Sequence, residues 1–177
     1  YKTYMLLSLH GQNKDALSKT KAGCWEYDIV WPAYKCNMTD IVAALGISQL
    51  NRYDKILNRR REIVKIYNEE LKNKNIQVLN HITNNSISSC HLYITRLLGK
   101  DSTFRNNFIK KMADAGIATN VHYKPLPLLT AYKNLGFNII DYPNAYELFE
   151  NEVTLPLYTL LTDDEVHYIA KTYKNLL

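Results

Sequence analysis

The chain has 177 residues, 46% hydrophobic and 22% charged, with 22 Lys and Arg against 17 Asp and Glu for a formal net charge of +5. That length and balance support a buried core and exclude wholesale disorder, and no apolar run approaches the ~18 residues of a membrane-spanning helix. Three cysteines (Cys24, Cys36 and Cys90) are too few and too scattered for a disulfide framework or a closed zinc site, so no metal centre is expected. Reduced thiols in a cytoplasmic protein are the default reading.

Tyr1 to His10 reads as the end of an amphipathic helix closed by Gly11, and a start in mid-helix suggests a piece of something longer. Residues 11–33 form a long loop with an aromatic patch of Trp25, Tyr27 and Trp31, rings that are costly to leave in water. Thr39 or Asp40 then caps a helix carrying Ile41, Ala44, Leu45, Ser48, Leu50, Tyr53 and Leu57 at spacings of three and four. Asn58 is expected to break or bend this run. A second amphipathic helix follows to Lys74, with Ile63, Ile66, Tyr67 and Leu71 on one stripe. The cluster Arg59, Arg60 and Arg61 fans around a turn and is expected to face solvent.

From Asn75 the period of the pattern falls to two. Ile76 to Leu79 is a short strand, and Cys90 to Leu98 a longer one. Phe104, Phe108, Met112 and Ala115 mark a helix ended by Gly116. Residues 117–123 alternate, which predicts a strand with Ile117, Thr119, Val121 and Tyr123 on one face and Asn120 and His122 on the other. Short helices near Leu129 to Leu135 and from Pro143 come next. Val153 to Leu157 is a short edge strand, and a capping box, Thr162 to Glu165, opens the last helix with Val166, Ile169, Tyr173 and Leu176 inward. The fold class is α+β: a helical rod leading into a small domain.

By spacing alone the chain is poor in catalytic motifs. Its six glycines form no phosphate loop, its five histidines show no metal-ligand spacing, and no nucleophile elbow is present. Cys90 and His91 are adjacent, but neighbours in a strand point to opposite faces and cannot act as a nucleophile and base. Polar groups at element ends remain: Lys35 and Asn37 ahead of a helix whose free N–H groups suit an anion, and His122 and Tyr123 where a strand meets a proline-rich turn. On spacing alone, ordinary turn and capping chemistry is the favoured account of either pair.

Several segments together carry a stronger signal. The run Pro32-Ala-Tyr-Lys-Cys-Asn-Met-Thr-Asp40 with its following helix, Ser89-Cys-His-Leu-Tyr93, Gly116-Ile-Ala-Thr-Asn-Val-His-Tyr123, Leu155-Pro-Leu157 and Leu161-Thr-Asp-Asp-Glu-Val166 resemble, in order, the sugar-nucleotide aminotransferases of the DegT/DnrJ/StrS type. This resemblance implies the carboxy-terminal half of an aspartate aminotransferase-like, fold-type I enzyme dependent on pyridoxal 5'-phosphate. Residues 1–37 would be the end of the large domain with an active-site and dimer loop, 38–74 a helical connector, and 75–177 the small α+β domain.

The family moves an amino group from glutamate to a nucleotide-linked keto sugar, in surface-polysaccharide or deoxyamino-sugar synthesis, as a homodimer that shares its active sites. Its Schiff-base lysine would lie upstream of Tyr1, so no lysine here receives a catalytic role, and the piece alone is expected to be inactive and not to bind the cofactor. Lys35 and Asn37 match residues that hold the cofactor phosphate of the other subunit. His122 and Tyr123 match the lining of the sugar-nucleotide pocket, and the loop with Trp25 would close over the neighbouring site. Ala33 stands where glycine is common, Cys36 where an aromatic is, and Pro127 where many relatives carry a second histidine. Two rival readings are a regulatory nucleic-acid-binding domain, which scattered lysines do not favour, and a protein-interaction domain. Neither nucleic acid nor a membrane is expected as a partner.

Overall fold

A computed structural model describes residues 1–12, 28–36 and 38–177. Trp25, Tyr27 and Asn37, each singled out above, lie outside the described residues. The chain divides into two compact units, Tyr1–Arg52 and Tyr53–Leu177.

In the first unit, helix α1 (Lys2–Ser8) ends as Gly11 turns back and donates its N–H to the Leu6 carbonyl at 2.7 Å. Gly11 has φ +73°, and a Cβ there would sit 1.9 Å from the Trp31 carbonyl oxygen, so only glycine lets the two strands of backbone approach. Lys35 pairs with Leu9 across an isolated antiparallel bridge that follows α1. Helix α2 (Asp40–Leu50) starts at Thr39, whose hydroxyl accepts the Val42 N–H. It buries none of its residues, and Ile41, Val42, Leu45, Ile47 and Leu50 are each more than half exposed.

The break after α2 falls at Asn51 and Arg52, not at Asn58 as expected. Arg52 bonds to the Gln49 carbonyl three residues back, tightening the last turn, whereas Asn58 lies inside helix α3 (Tyr53–Glu70). Polar residues at both positions gave periodicity no means to choose.

The second unit is built on a three-stranded antiparallel sheet in the order β1 (Ile76–Val78), β2 (Tyr93–Leu97), β3 (Glu152–Leu155). Tyr93 faces Leu155 and Arg96 faces Glu152 across the β2–β3 ladder. Alternation along β2 buries Tyr93, Thr95 and Leu97 in a core with Ile63 and Tyr67 of α3, Leu71 just after it, Phe108 and Met112 of α4 (Ser102–Asp114), and Val166, Ile169 and Tyr173 of α7 (Asp163–Asn175). Leu176, expected inward, is only half-buried. Aromatic contacts knit these layers, with Tyr67 and Tyr93 centroids 4.8 Å apart and Phe108 edge-on to Tyr173 at 4.8 Å. Between α4 and β3 come α5 (Thr130–Asn134) and α6 (Pro143–Glu150), the latter opened by its proline.

Three further expectations are corrected here. Arg59 is not a solvated cation: it pairs with Asp163 at 2.8 Å and Glu62 at 3.2 Å and donates to the Leu161 carbonyl, clasping α3 to the start of α7. Cys90 is not in β2. It has φ +53° and spends its N–H on the Ser88 hydroxyl at 3.0 Å, so the ladder begins at Tyr93, and His91 is exposed and not packed in a strand. Residues 117–123 are not a strand. Only Asn120 pairs, with Thr154, and the next two backbone N–H groups are taken by side chains instead of a ladder.

Among the described residues no helix is long and apolar enough to cross a membrane, and no three metal-ligating side chains cluster.

Candidate functional site

The face of the sheet away from the core carries polar groups. Arg96 and Ile94 of β2 sit opposite Glu152 and Thr154 of β3, and Gln77 of β1 lies opposite Arg96. Segment 120–123 joins this face where Asn120 and Thr154 exchange backbone hydrogen bonds of 3.1 and 2.8 Å. Ile94, Arg96 and Glu152, with Leu148 and Phe149 of α6, enclose a cleft of about 550 Å³ that His122 and Tyr123 also line.

Glu152 is 5% exposed and organises one wall. Its Oε2 accepts the His122 N–H at 2.9 Å, and its Oε1 accepts the Thr154 hydroxyl, which in turn lies 2.9 Å from His122 Nδ1. Burial pushes the carboxyl up from its ordinary range, while the Thr154 hydroxyl and the His122 amide pull it back. Beneath it Arg105, 3% exposed, donates to the carbonyls of Phe149 at 2.9 Å and Glu152 at 3.4 Å and lies 4.8 Å over the Phe149 ring. Burial lowers its guanidinium and the Glu152 charge opposes that shift.

Arg96 makes four hydrogen bonds to protein partners: Asn151 at 3.0 Å, Gln77 at 3.2 Å, and the Glu147 carboxylate and carbonyl at 3.1 and 3.2 Å. It braces β1, β2 and α6 as a wall. His122 and Tyr123 meet edge to face, ring centroids 4.7 Å apart, across a cis peptide bond. Tyr123 is 73% exposed whereas Ile117, expected on the same face of a strand, is buried.

Two of the residues indicated by sequence, His122 and Tyr123, therefore come together in one cleft. Lys35 belongs to the other unit, on an exposed extended segment three residues before Met38, and Asn37 and Trp25 lie outside the described residues. Sequence reasoning missed Glu152 and Thr154. Their signal was present as two polar residues at alternate positions in an otherwise apolar edge strand. A larger hollow of about 640 Å³ beside α3, lined by Arg61, Lys65, Asn68, His81 and Cys90, holds none of the ligand groups indicated by sequence. Burial raises the Cys90 thiol there, which suppresses its nucleophilicity.

Comparison with known proteins places this geometry in a wider setting. Residues 1–174 match the family model described as the DegT/DnrJ/EryC1/StrS aminotransferase family. Spr1654 of Streptococcus pneumoniae, described as a sugar aminotransferase, is similar in its PMP form with a TM-score of 0.87 and 58% identity, over 99% of this chain and 44% of that one. The same protein is known in a PLP form, with a TM-score of 0.84.

The spore coat polysaccharide biosynthesis protein SpsC of Bacillus subtilis is 31% identical over 97% of this chain and 45% of its own length. The UDP-4-amino-4,6-dideoxy-N-acetyl-beta-L-altrosamine transaminase of Campylobacter jejuni is 27% identical over 93% of this chain and 46% of its own. The chain thus spans less than half the length of the curated relatives it matches. It matches part of fold-type I sugar aminotransferase structures as an α+β piece with a small antiparallel sheet. With nearly every residue inside the family match, the chain belongs to the DegT/DnrJ/EryC1/StrS aminotransferase family.

Proposed function

We propose that this chain forms the substrate-facing small domain and the subunit-contact region of a pyridoxal 5'-phosphate-dependent aminotransferase that passes an amino group from glutamate to a nucleotide-linked keto sugar. The observation that carries this reading is the cleft in which His122 and Tyr123 stand on the buried Glu152–Thr154 pair. An imidazole and a phenol at the mouth of a partly apolar cleft suit a sugar with its hydroxyls and diphosphate oxygens. The match to a transaminase of a UDP-linked amino sugar, 27% identical, supports the same substrate class.

Residues near the start of α2 fit the phosphate of the cofactor. Lys35 presents an exposed ammonium with no hydrogen-bond or ion-pair partner among the described residues, and the first-turn amides of α2 follow. Lys35 and Asn37 would hold that phosphate for the partner subunit of a homodimer, a cation and an amide donor for a dianion. When bound, the cofactor supplies the electron sink that amino-group transfer requires. On this reading the lysine that tethers it belongs to polypeptide ahead of Tyr1, and none of this chain's lysines takes that role. His122 and Tyr123 bind and orient the sugar, and Glu152 and Thr154 hold His122.

Two measurements test the reading. The isolated chain, given the cofactor, glutamate and a UDP-4-keto-6-deoxy sugar, is expected to give no amino sugar, and turnover by it alone would refute the upstream tether. Within an active enzyme that contains this chain, Asn37→Ala is expected to release cofactor on dialysis faster than the unaltered protein. Equal retention would remove Asn37 from the phosphate site.

A further inference from the structure

We propose that Glu152 and Thr154 are positioning residues that lock the neutral His122 imidazole with its proton on Nδ1, so that what His122 offers a ligand is the Nε2 lone pair. The group met there is then a hydrogen-bond donor, a sugar hydroxyl or an amide N–H, and not a phosphate oxygen. This last step rests on the reading of the cleft as a substrate site.

The proton count starts at Glu152. An ionised carboxylate only accepts, and here it accepts twice, from the His122 backbone N–H at 2.9 Å and from the Thr154 hydroxyl. Burial raises this carboxyl, and the two hydrogen bonds it accepts and the charge on Arg105 oppose that rise. Thr154 has given its one proton to Glu152, so only lone pairs remain on Oγ1 for His122 Nδ1 at 2.9 Å. Nδ1 must therefore be the donor.

The other end of the ring agrees independently. Asn120 Oδ1 accepts the Val121 N–H at 2.8 Å, which fixes which way the amide lies. Its Nδ2 then faces His122 Nε2 at 3.5 Å, and an amide NH2 facing a ring nitrogen requires a lone pair there. That separation is at the outer limit of a hydrogen bond, so a ligand donor can take the position from Asn120. A chain of donors running from one side chain to the next thus sets the tautomer, and the tautomer sets what the cleft can read.

The test is the two-bond 1H–15N correlation of the imidazole ring in the 15N-labelled chain at about pH 8, above the ordinary imidazole range. The unaltered chain is expected to give a pyrrole-type Nδ1 and a pyridine-type Nε2 at His122. In Glu152→Gln the amide oxygen is held by the His122 N–H, so its NH2 faces Thr154 and the threonine proton turns to Nδ1. The two ring nitrogens are expected to exchange shift classes. Thr154→Val is expected to release a mixture of tautomers and Thr154→Ser to restore the single one. A pyrrole-type Nε2 in the unaltered chain, or no exchange in Glu152→Gln, overturns the lock. No ligand enters this measurement, so failure of the aminotransferase reading leaves its result intact, and failure of the lock leaves that reading standing.

Discussion

Tyr173 carries its hydroxyl into the core, where it lies 2.7 Å from Thr95 Oγ1, both side chains fully buried. Thr95 already donates to the Val153 carbonyl at 2.7 Å, so Tyr173 is the donor in the pair, and burial raises its phenol far out of the titrating range. Tyr173→Phe keeps the packing and removes one neutral hydrogen bond, for an expected loss of about 1 kcal/mol read from the urea midpoint. Gly11 is a different case, since alanine there meets both a positive φ and a carbonyl oxygen. Gly11→Ala is expected to cost about 1–2 kcal/mol in backbone conformation alone and to abolish exchange protection at the Val30 amide, which bonds to the Gly11 carbonyl at 3.0 Å. At this scale, His122 and Tyr123 were legible because the run from Gly116 to Tyr123 resembles a family motif. Glu152 was not, because a carboxylate's burial depends on what packs over it, here Arg105 from a helix 47 residues away in sequence.

Helix α7 shows local chemistry deciding an element. The Thr162 hydroxyl accepts the Glu165 N–H at 3.3 Å, and the Glu165 carboxylate accepts the Thr162 N–H at 2.8 Å. Thr162→Ala is expected to cost about 1 kcal/mol by thermal or urea unfolding. The Thr162 backbone and then its hydroxyl hold the Glu165 carboxyl below its ordinary value. A depressed folded value means the contribution is complete above the unfolded carboxylate pKa, ~4.3, and fades as pH falls through the folded value. Exchange protection in the first turn of α7 is therefore expected to drop in acid, and Thr162→Ala to flatten that dependence.

Where a short motif fixes its own hydrogen bonds, as here and at Thr39, the element was readable in advance. Residues 117–123 and the break after α2 were not, since side chains of Asn120 and Glu152 and a one-residue shift in backbone bonding decided them. Alternation alone cannot distinguish a strand from an extended segment whose donors go elsewhere.

Over the whole molecule, the residues assigned to function fall in both units. The unit of 53–177 carries the core and a cleft whose lining the sequence indicated in part, while that of 1–52 carries Lys35 and an α2 with no buried residue. Five large apolar side chains on one exposed helix exceed what scattered surface residues explain, and under the proposed function they belong to a subunit contact. The chain is expected to self-associate with concentration in sedimentation velocity, and the double variant Ile41→Lys, Leu45→Lys to sediment as a monomer.

The account stands or falls on what the cleft binds. In an active enzyme that contains this chain, His122→Ala is expected to raise the KM for the nucleotide-linked keto sugar about tenfold, the size of one lost hydrogen bond at a desolvated site, and to leave the KM for glutamate unchanged. An unchanged sugar KM, with the loss falling on glutamate, would contradict it.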